Sequence, residues 1–174
     1  PQERVWEAIT KPEFTSRYYY GSMLKTDLSV GSPFTYHMPN GAPIIEGEVV
    51  TSDPPKRLVH TYHSLWPPMN EDAPTKVSWE LESMPGGVTK VTVIHEEFQG
   101  ETATYQGLQS GGWTRVLRTM KWWVGRGEAR PPGTWSVFLP DRRKMVGNVT
   151  PHFKTPVDKK KNPTRAELTS PRTQ

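Results

Sequence analysis

The chain has 174 residues, room for one domain with a real core plus a further segment. With 33% hydrophobic residues and a mean hydropathy of −0.70, it contains no apolar run near the roughly 18 residues of a membrane span. It has no cysteine, which excludes disulfides, thiolate metal sites and cysteine nucleophiles and fits a reducing cytoplasm. Its charge is uneven: residues 126–174 hold 11 Lys or Arg against 4 Asp or Glu, net +7, while residues 1–125 hold 11 against 14, net −3, so the basic character belongs to the C-terminal stretch.

The first residue is Pro1, and the chain enters a helix at once without a signal-peptide pattern, which points to a trimmed N-terminal segment. Residues 1–10 read as a short helix with proline at its start, Glu3 in its first turn, and Val5, Trp6 and Ile9 on one side. Lys11-Pro12 ends it, because the residue before proline avoids helical backbone angles. Residues 13–20 read as a second short helix closed by Gly21. The run Tyr18-Tyr19-Tyr20 cannot face inward as a whole.

The pattern then changes from helical to alternating. Phe34, Tyr36 and Met38 alternate with Thr35 and His37, Asn40-Gly41 signals a tight turn, and residues 44–51 resume as a strand, giving a hairpin. Asp53-Pro54-Pro55 breaks the chain before a strand at 57–63, and Pro67, Pro68 and Pro74 mark residues 65–74 as a loop. Residues 76–82 alternate cleanly, Pro85-Gly86-Gly87 turns, and residues 89–98 set Val91, Val93 and His95 against Thr92, Ile94 and Glu96. The expectation is a meander of five antiparallel strands, each apolar on one face, covered on one side only.

Residues 99–109 form a polar linker with room for a turn of helix. Beyond it, Trp113, Val116, Leu117, Met120, Trp123 and Val124 recur at three- and four-residue steps, while Arg115, Arg118 and Lys121 fall mainly elsewhere. Ser110 can cap this amphipathic helix, and Gly125, Gly127 and Pro131-Pro132 stop it after about four turns. Strands followed by a long helix on one face describe an α+β domain over residues 1–125. Residues 126–174 carry 7 of the 18 prolines and the run Lys159-Lys160-Lys161, and are expected to be a basic, largely disordered tail in which Trp135 to Leu139 have the apolar character to dock locally.

In this order, Arg4-Val5-Trp6-Glu7-Ala8-Ile9-Thr10-Lys11-Pro12-Glu13, Gly31-Ser32-Pro33-Phe34, Glu46-Gly47-Glu48-Val49, Asp53-Pro54-Pro55-Lys56-Arg57-Leu58, Val93-Ile94-His95-Glu96-Glu97-Phe98 and Gly111-Gly112-Trp113 resemble the family similar to the C-terminal domain of the activator of the 90-kDa heat-shock chaperone ATPase. That family belongs to the START-related helix-grip superfamily. The resemblance covers about residues 3–125 and leaves the tail outside. It implies a curved antiparallel sheet wrapped around the long C-terminal helix, with a cavity between them, and it links the chain to chaperone regulation and the stress response. The family's first strand, which normally precedes the opening helix, is missing here. Because the superfamily includes lipid carriers, hormone-binding proteins, cyclases and chaperone regulators, the resemblance leaves function open.

Tyr36, Met38, Tyr62, Trp79 and His95 on the strands, with Phe98, Trp113, Leu117 and Met120, are the candidate lining of that cavity, mostly apolar with a few polar points. The competing reading is that they are simply core. The expected function is binding of a small hydrophobic or amphipathic molecule, with no covalent chemistry, no cofactor and no metal. A polyketide cyclase or dehydratase would need a base and an oxyanion donor, for which His95, Glu97, Tyr36 and Arg115 are the available set. His60 and His63, three apart on a strand, point to opposite faces and make a poor metal pair. Arg142, Arg143, Lys144, Lys154 and Lys159 to Lys161 carry charge for phosphates, but no interleaved aromatics accompany the lysines, so no specific nucleic-acid partner is expected. A chaperone or a second copy of the chain would instead meet exposed surface, such as the tyrosine run or the loop from Leu65 to Met69.

Overall fold

The computed structural model describes residues 2–124, 136–141 and 144–149. The chain begins with α1 (Gln2–Thr10) and α2 (Pro12–Tyr18), runs through seven strands, and returns through a short α3 (Ala103–Gly107) into the long α4 (Trp113–Val124). The strands are β1 (Met23–Lys25), β2 (Thr35–His37), β3 (Pro43–Glu46), β4 (Val49–Asp53), β5 (Arg57–Ser64), β6 (Thr75–Met84) and β7 (Val88–Glu96). Two further strands, β8 (Ser136–Asp141) and β9 (Lys144–Val149), complete a nine-stranded antiparallel sheet in the order β1-β2-β3-β5-β6-β7-β9-β8, with β4 also pairing β5. Both fall within residues 126–174, and the rest of that stretch lies outside the described residues. The result is α+β: a curled antiparallel half-barrel with the C-terminal helix against it.

Strand alternation sets the inner face. On β7, Thr89, Val91, Val93 and His95 are buried while the residues between them are half-buried, the pattern a period of two requires when one face meets a core. Antiparallel register then lines up Leu58 with Trp79 and His60 with Val77 across β5 and β6, and Trp79 with Val93 and Val77 with His95 across β6 and β7. Against this face α4 lays Trp113, Val116, Leu117 and Met120, all buried, while Arg115 and Arg118 stay exposed. The side chains of Trp122 and Trp123 lie outside the described residues.

Three expectations from the sequence change. The strand expected at 44–51 is two strands, because Gly47 lies against β5 where a Cβ would overlap the Thr61 carbonyl, and the chain steps there from β3 to β4. The five-stranded meander gains β1 at one edge and β8 and β9 at the other. Covering the sheet is also not left to α4 alone, since α1 buries Val5, Trp6, Ala8 and Ile9 in the same core. Side-chain hydrogen bonds hold these outer pieces: Gln2 donates to the Leu81 carbonyl at 2.7 Å, Tyr18 to the Ala8 carbonyl at 2.9 Å, and the Leu24 amide to Thr15 Oγ1 at 3.0 Å.

Candidate functional site

The layer between the sheet and α4 is aromatic. Tyr19, at the end of α2, stacks on Tyr36 with ring centroids 4.2 Å apart and meets Trp113 edge-on at 6.4 Å. Trp113 in turn meets Trp79 at 5.3 Å, nearly perpendicular, and the His95 ring sits between Tyr62 at 4.9 Å and Phe98 at 4.7 Å. Edge-to-face contacts of this kind favour the rings beyond the area they bury. Leu117 and Met120 close the layer from the helix side, and Met38, half-buried, packs at its margin. Eight of the nine residues singled out from the sequence therefore belong to the apolar core cluster or pack against it, and His95 is buried among them through its contacts with Tyr62, Phe98 and Trp113.

The polar atoms in this layer are matched in a definite way. The indole N–H of Trp113 donates to Nδ1 of His95 at 3.1 Å. An indole only donates, so Nδ1 must be the bare nitrogen and Nε2 must carry the proton. Nε2 lies 2.7 Å from Thr75 Oγ1, and Thr75 gives its own proton to the Tyr62 carbonyl at 3.1 Å, leaving its oxygen free to accept from Nε2. His60 repeats the scheme on β5, on the far side of β6. Trp79 donates to its Nε2 at 3.4 Å, its Nδ1 donates to the Thr61 carbonyl at 2.8 Å, and its ring stacks on Phe34 at 3.9 Å.

Burial of the two imidazoles disfavours their charged forms. It holds His60 down to about 4, and it pushes His95 well below the usual range, with the nearby His60 adding to the effect. Burial likewise raises the phenols of Tyr19 and Tyr36, and lifts Tyr62 to about 12 against hydrogen bonding from Tyr19 and Ser64. The site is neutral, and its donors and acceptors are phenols, hydroxyls and imidazoles.

The set weighed for proton abstraction does not converge. His95 has both ring nitrogens engaged, Glu97 lies outside in an ion pair with Lys76, and Arg115 is exposed. Four contributors were not among the residues the sequence assigned to this layer: Tyr19, His60, Thr75 and Tyr105, which meets Phe98 at 5.3 Å. His60 was legible, since it stands two residues before Tyr62 on one strand and shares its face. Thr75 becomes legible only once register sets it opposite Tyr62, and Tyr19 and Tyr105 depend on how the helices dock.

The β5–β6 loop packs on α3, whose Tyr105 meets Phe98 of the layer. The Asp72 carboxylate accepts from the Thr104 amide at 2.6 Å at the start of α3, and Met69 lies against Gly107. Between α3 and α4 the chain makes one wide helical turn, Leu108–Gly112, with Gly111 at φ 115°, a conformation that favours glycine.

The model of the family described as Activator of Hsp90 ATPase homolog 1-like protein matches residues 1–125. Among solved structures, protein MLL2253 from Mesorhizobium loti is 21% identical with a TM-score of 0.62, over 74% of this chain and 92% of its own. PFC0360w, an HSP90 activator from Plasmodium falciparum, is 24% identical with a TM-score of 0.56, over 72% and 89%. CalU16 from Micromonospora echinospora is 20% identical with a TM-score of 0.55, over 73% and 71%. These likenesses show the fold. Curated proteins offer no match. No helix among the described residues is long and apolar enough to cross a membrane.

Proposed function

We propose that this chain, which belongs to the Activator of Hsp90 ATPase homolog 1-like protein family, binds a small hydrophobic or amphipathic molecule between its sheet and α4, without covalent chemistry. The observation that carries the reading is the polar content of the inner layer. Each buried phenol or imidazole gives up water and must be matched, so a cluster of them costs more than an apolar core of the same volume. Here Tyr19, Tyr36, Tyr62, His60 and His95 gather on the inner face beside Trp79 and Trp113. Aromatic walls with a few convergent polar groups are the composition of small-molecule sites. Entry would use the side of the layer next to α3, where the wide turn before α4 gives the helix a natural point of adjustment.

The test is native mass spectrometry of the protein purified from its own host, with extraction and identification of whatever accompanies it. A stoichiometric hydrophobic compound is the expected result. A protein that is empty, and whose melting temperature is unmoved by a panel of lipids and aromatic polyketides, would mark the layer as filled core.

A second reading, contact with a chaperone ATPase, is favoured by exposed aromatics. Trp66 in the β5–β6 loop is 55% exposed and Tyr20 after α2 is 52% exposed, residue types that anchor protein–protein contacts. Loss of chaperone capture in a pull-down with Trp66→Ala, and not with Trp113→Phe, would support it.

A further inference from the structure

Resting on that reading, we infer that the layer between the sheet and α4 takes uncharged molecules bearing a hydroxyl or carbonyl group and rejects carboxylates and phosphates. The buried polar side chains among the described residues are serines, threonines and histidines, with the phenols of Tyr18, Tyr19, Tyr36, Tyr62 and Tyr105 and the indoles of Trp6, Trp79 and Trp113; no Asp, Glu, Lys or Arg is among them. The charges sit outside, in pairs such as Arg57 with Glu80 and Lys90 with Glu82, or exposed on the outer side of α4 as Arg115 and Arg118. Phenols and hydroxyls both donate and accept, so they complement a carbonyl or an alcohol in either role.

An anion buried here would need a cation, and the two imidazoles are the bases that could supply one. Each is locked neutral by an indole. Protonating His95 at Nδ1 would turn an N–H toward the Trp113 N–H, and protonating His60 at Nε2 would do the same against Trp79. The remaining nitrogen of each ring already donates, to Thr75 and to the Thr61 carbonyl. Charge on either ring therefore requires its tryptophan to be displaced, and a carboxylate entering the unchanged layer would be desolvated without a counter-charge.

The experiment compares 2-naphthol with 2-naphthoate, one aromatic frame with a neutral or an anionic end, by calorimetric titration of the full chain at pH 7.5. The expected result is 2-naphthol binding tighter by on the order of tenfold or more. Equal binding, or preference for 2-naphthoate, would overturn the inference and leave the site standing. Failure of both compounds to bind would overturn the inference together with the site on which it rests. Trp113→Phe keeps a ring and removes the donor, which frees Nδ1 of His95 to be protonated. At pH 5.5 this variant should narrow the gap between the two compounds several-fold relative to the unsubstituted chain, with Arg118→Ala as the unaffected control. A gap that the variant leaves unchanged would overturn the part assigned to the indole.

Discussion

The Trp113 indole and the His95 imidazole meet at 3.1 Å, donor to acceptor, joining the first turn of α4 to the end of β7 inside the core. The contact is directional, unlike the Leu117 and Met120 contacts around it, so it sets the rotation of the helix against the sheet as well as its distance. Trp113→Phe should leave Nδ1 buried and unmatched and cost about 1–3 kcal/mol, measured by urea unfolding. Arg118→Ala, exposed on the far side of the helix, should change stability by less than about 0.5 kcal/mol.

Ligand binding should separate the same helix by face. Trp113→Ala and Met120→Ala are expected to weaken retention of a bound compound in native mass spectra, while Arg118→Ala leaves it unchanged. If all three substitutions acted alike, general destabilisation would explain the loss and the site would not be where it is drawn.

Acid should weaken the fold in a window set by the histidines. Both rings have folded-state pKa values below the ordinary 6.5, so the unfolded chain binds more protons as pH falls. Their stabilising contribution is fully present above about pH 6.5 and, for His60, is lost progressively down to about 4. The carboxylates held low, Asp27 and Asp72, act only below their ordinary 3.8 and do not blur this window. Urea midpoints measured from pH 7.5 to 5 should fall steadily, with uptake of up to two protons on unfolding. A flat profile would mean that the rings are not buried as neutral acceptors.

Gly47→Ala tests the step between β3 and β4. The added methyl would meet the Thr61 carbonyl, which is backbone and cannot swing aside, so a loss of about 1–3 kcal/mol is expected in thermal or urea unfolding. Gly41→Ala is the contrast: open space surrounds it, so only the cost of its positive φ applies.

Asp72 ties the β5–β6 loop to α3. Burial pushes its carboxyl up, but hydrogen bonds from Thr104, Ala103 and Thr102 together outweigh this and hold it low. Asp72→Ala should cost on the order of 1 kcal/mol and raise amide exchange at Thr104 and in the loop, with little change in β6 and β7. Protection lost throughout the sheet would show that the loop supports the core and does not merely close over it.

The periodicities belong to the sequence. Alternation at Val91, Val93 and His95 and the three- and four-residue spacing from Trp113 to Met120 identify an inner sheet face and a helix face, and each depends only on neighbours along the chain. Those two patterns, with the ordered motifs from Arg4 to Trp113, were enough for the α+β class and for the family. Gly47 shows the limit: residues 44–51 read as one strand because nothing local reveals the approach of the Thr61 carbonyl. The same holds for β1, three residues long and paired only through its register with β2.

The sequence by itself determined the inner faces of the strands and of α4; it named Tyr62, Trp79, His95 and Trp113 without saying what their polar atoms would do. Tertiary structure alone decided that Trp113 faces Nδ1 of His95, that Thr75 stands beside Nε2, and that Tyr19 stacks on Tyr36. Hydrogen bonds and ring contacts depend on ångström-scale placement of groups up to tens of residues apart, whereas burial along a strand or α4 follows from the face a residue takes. The neutrality of the layer comes from that placement.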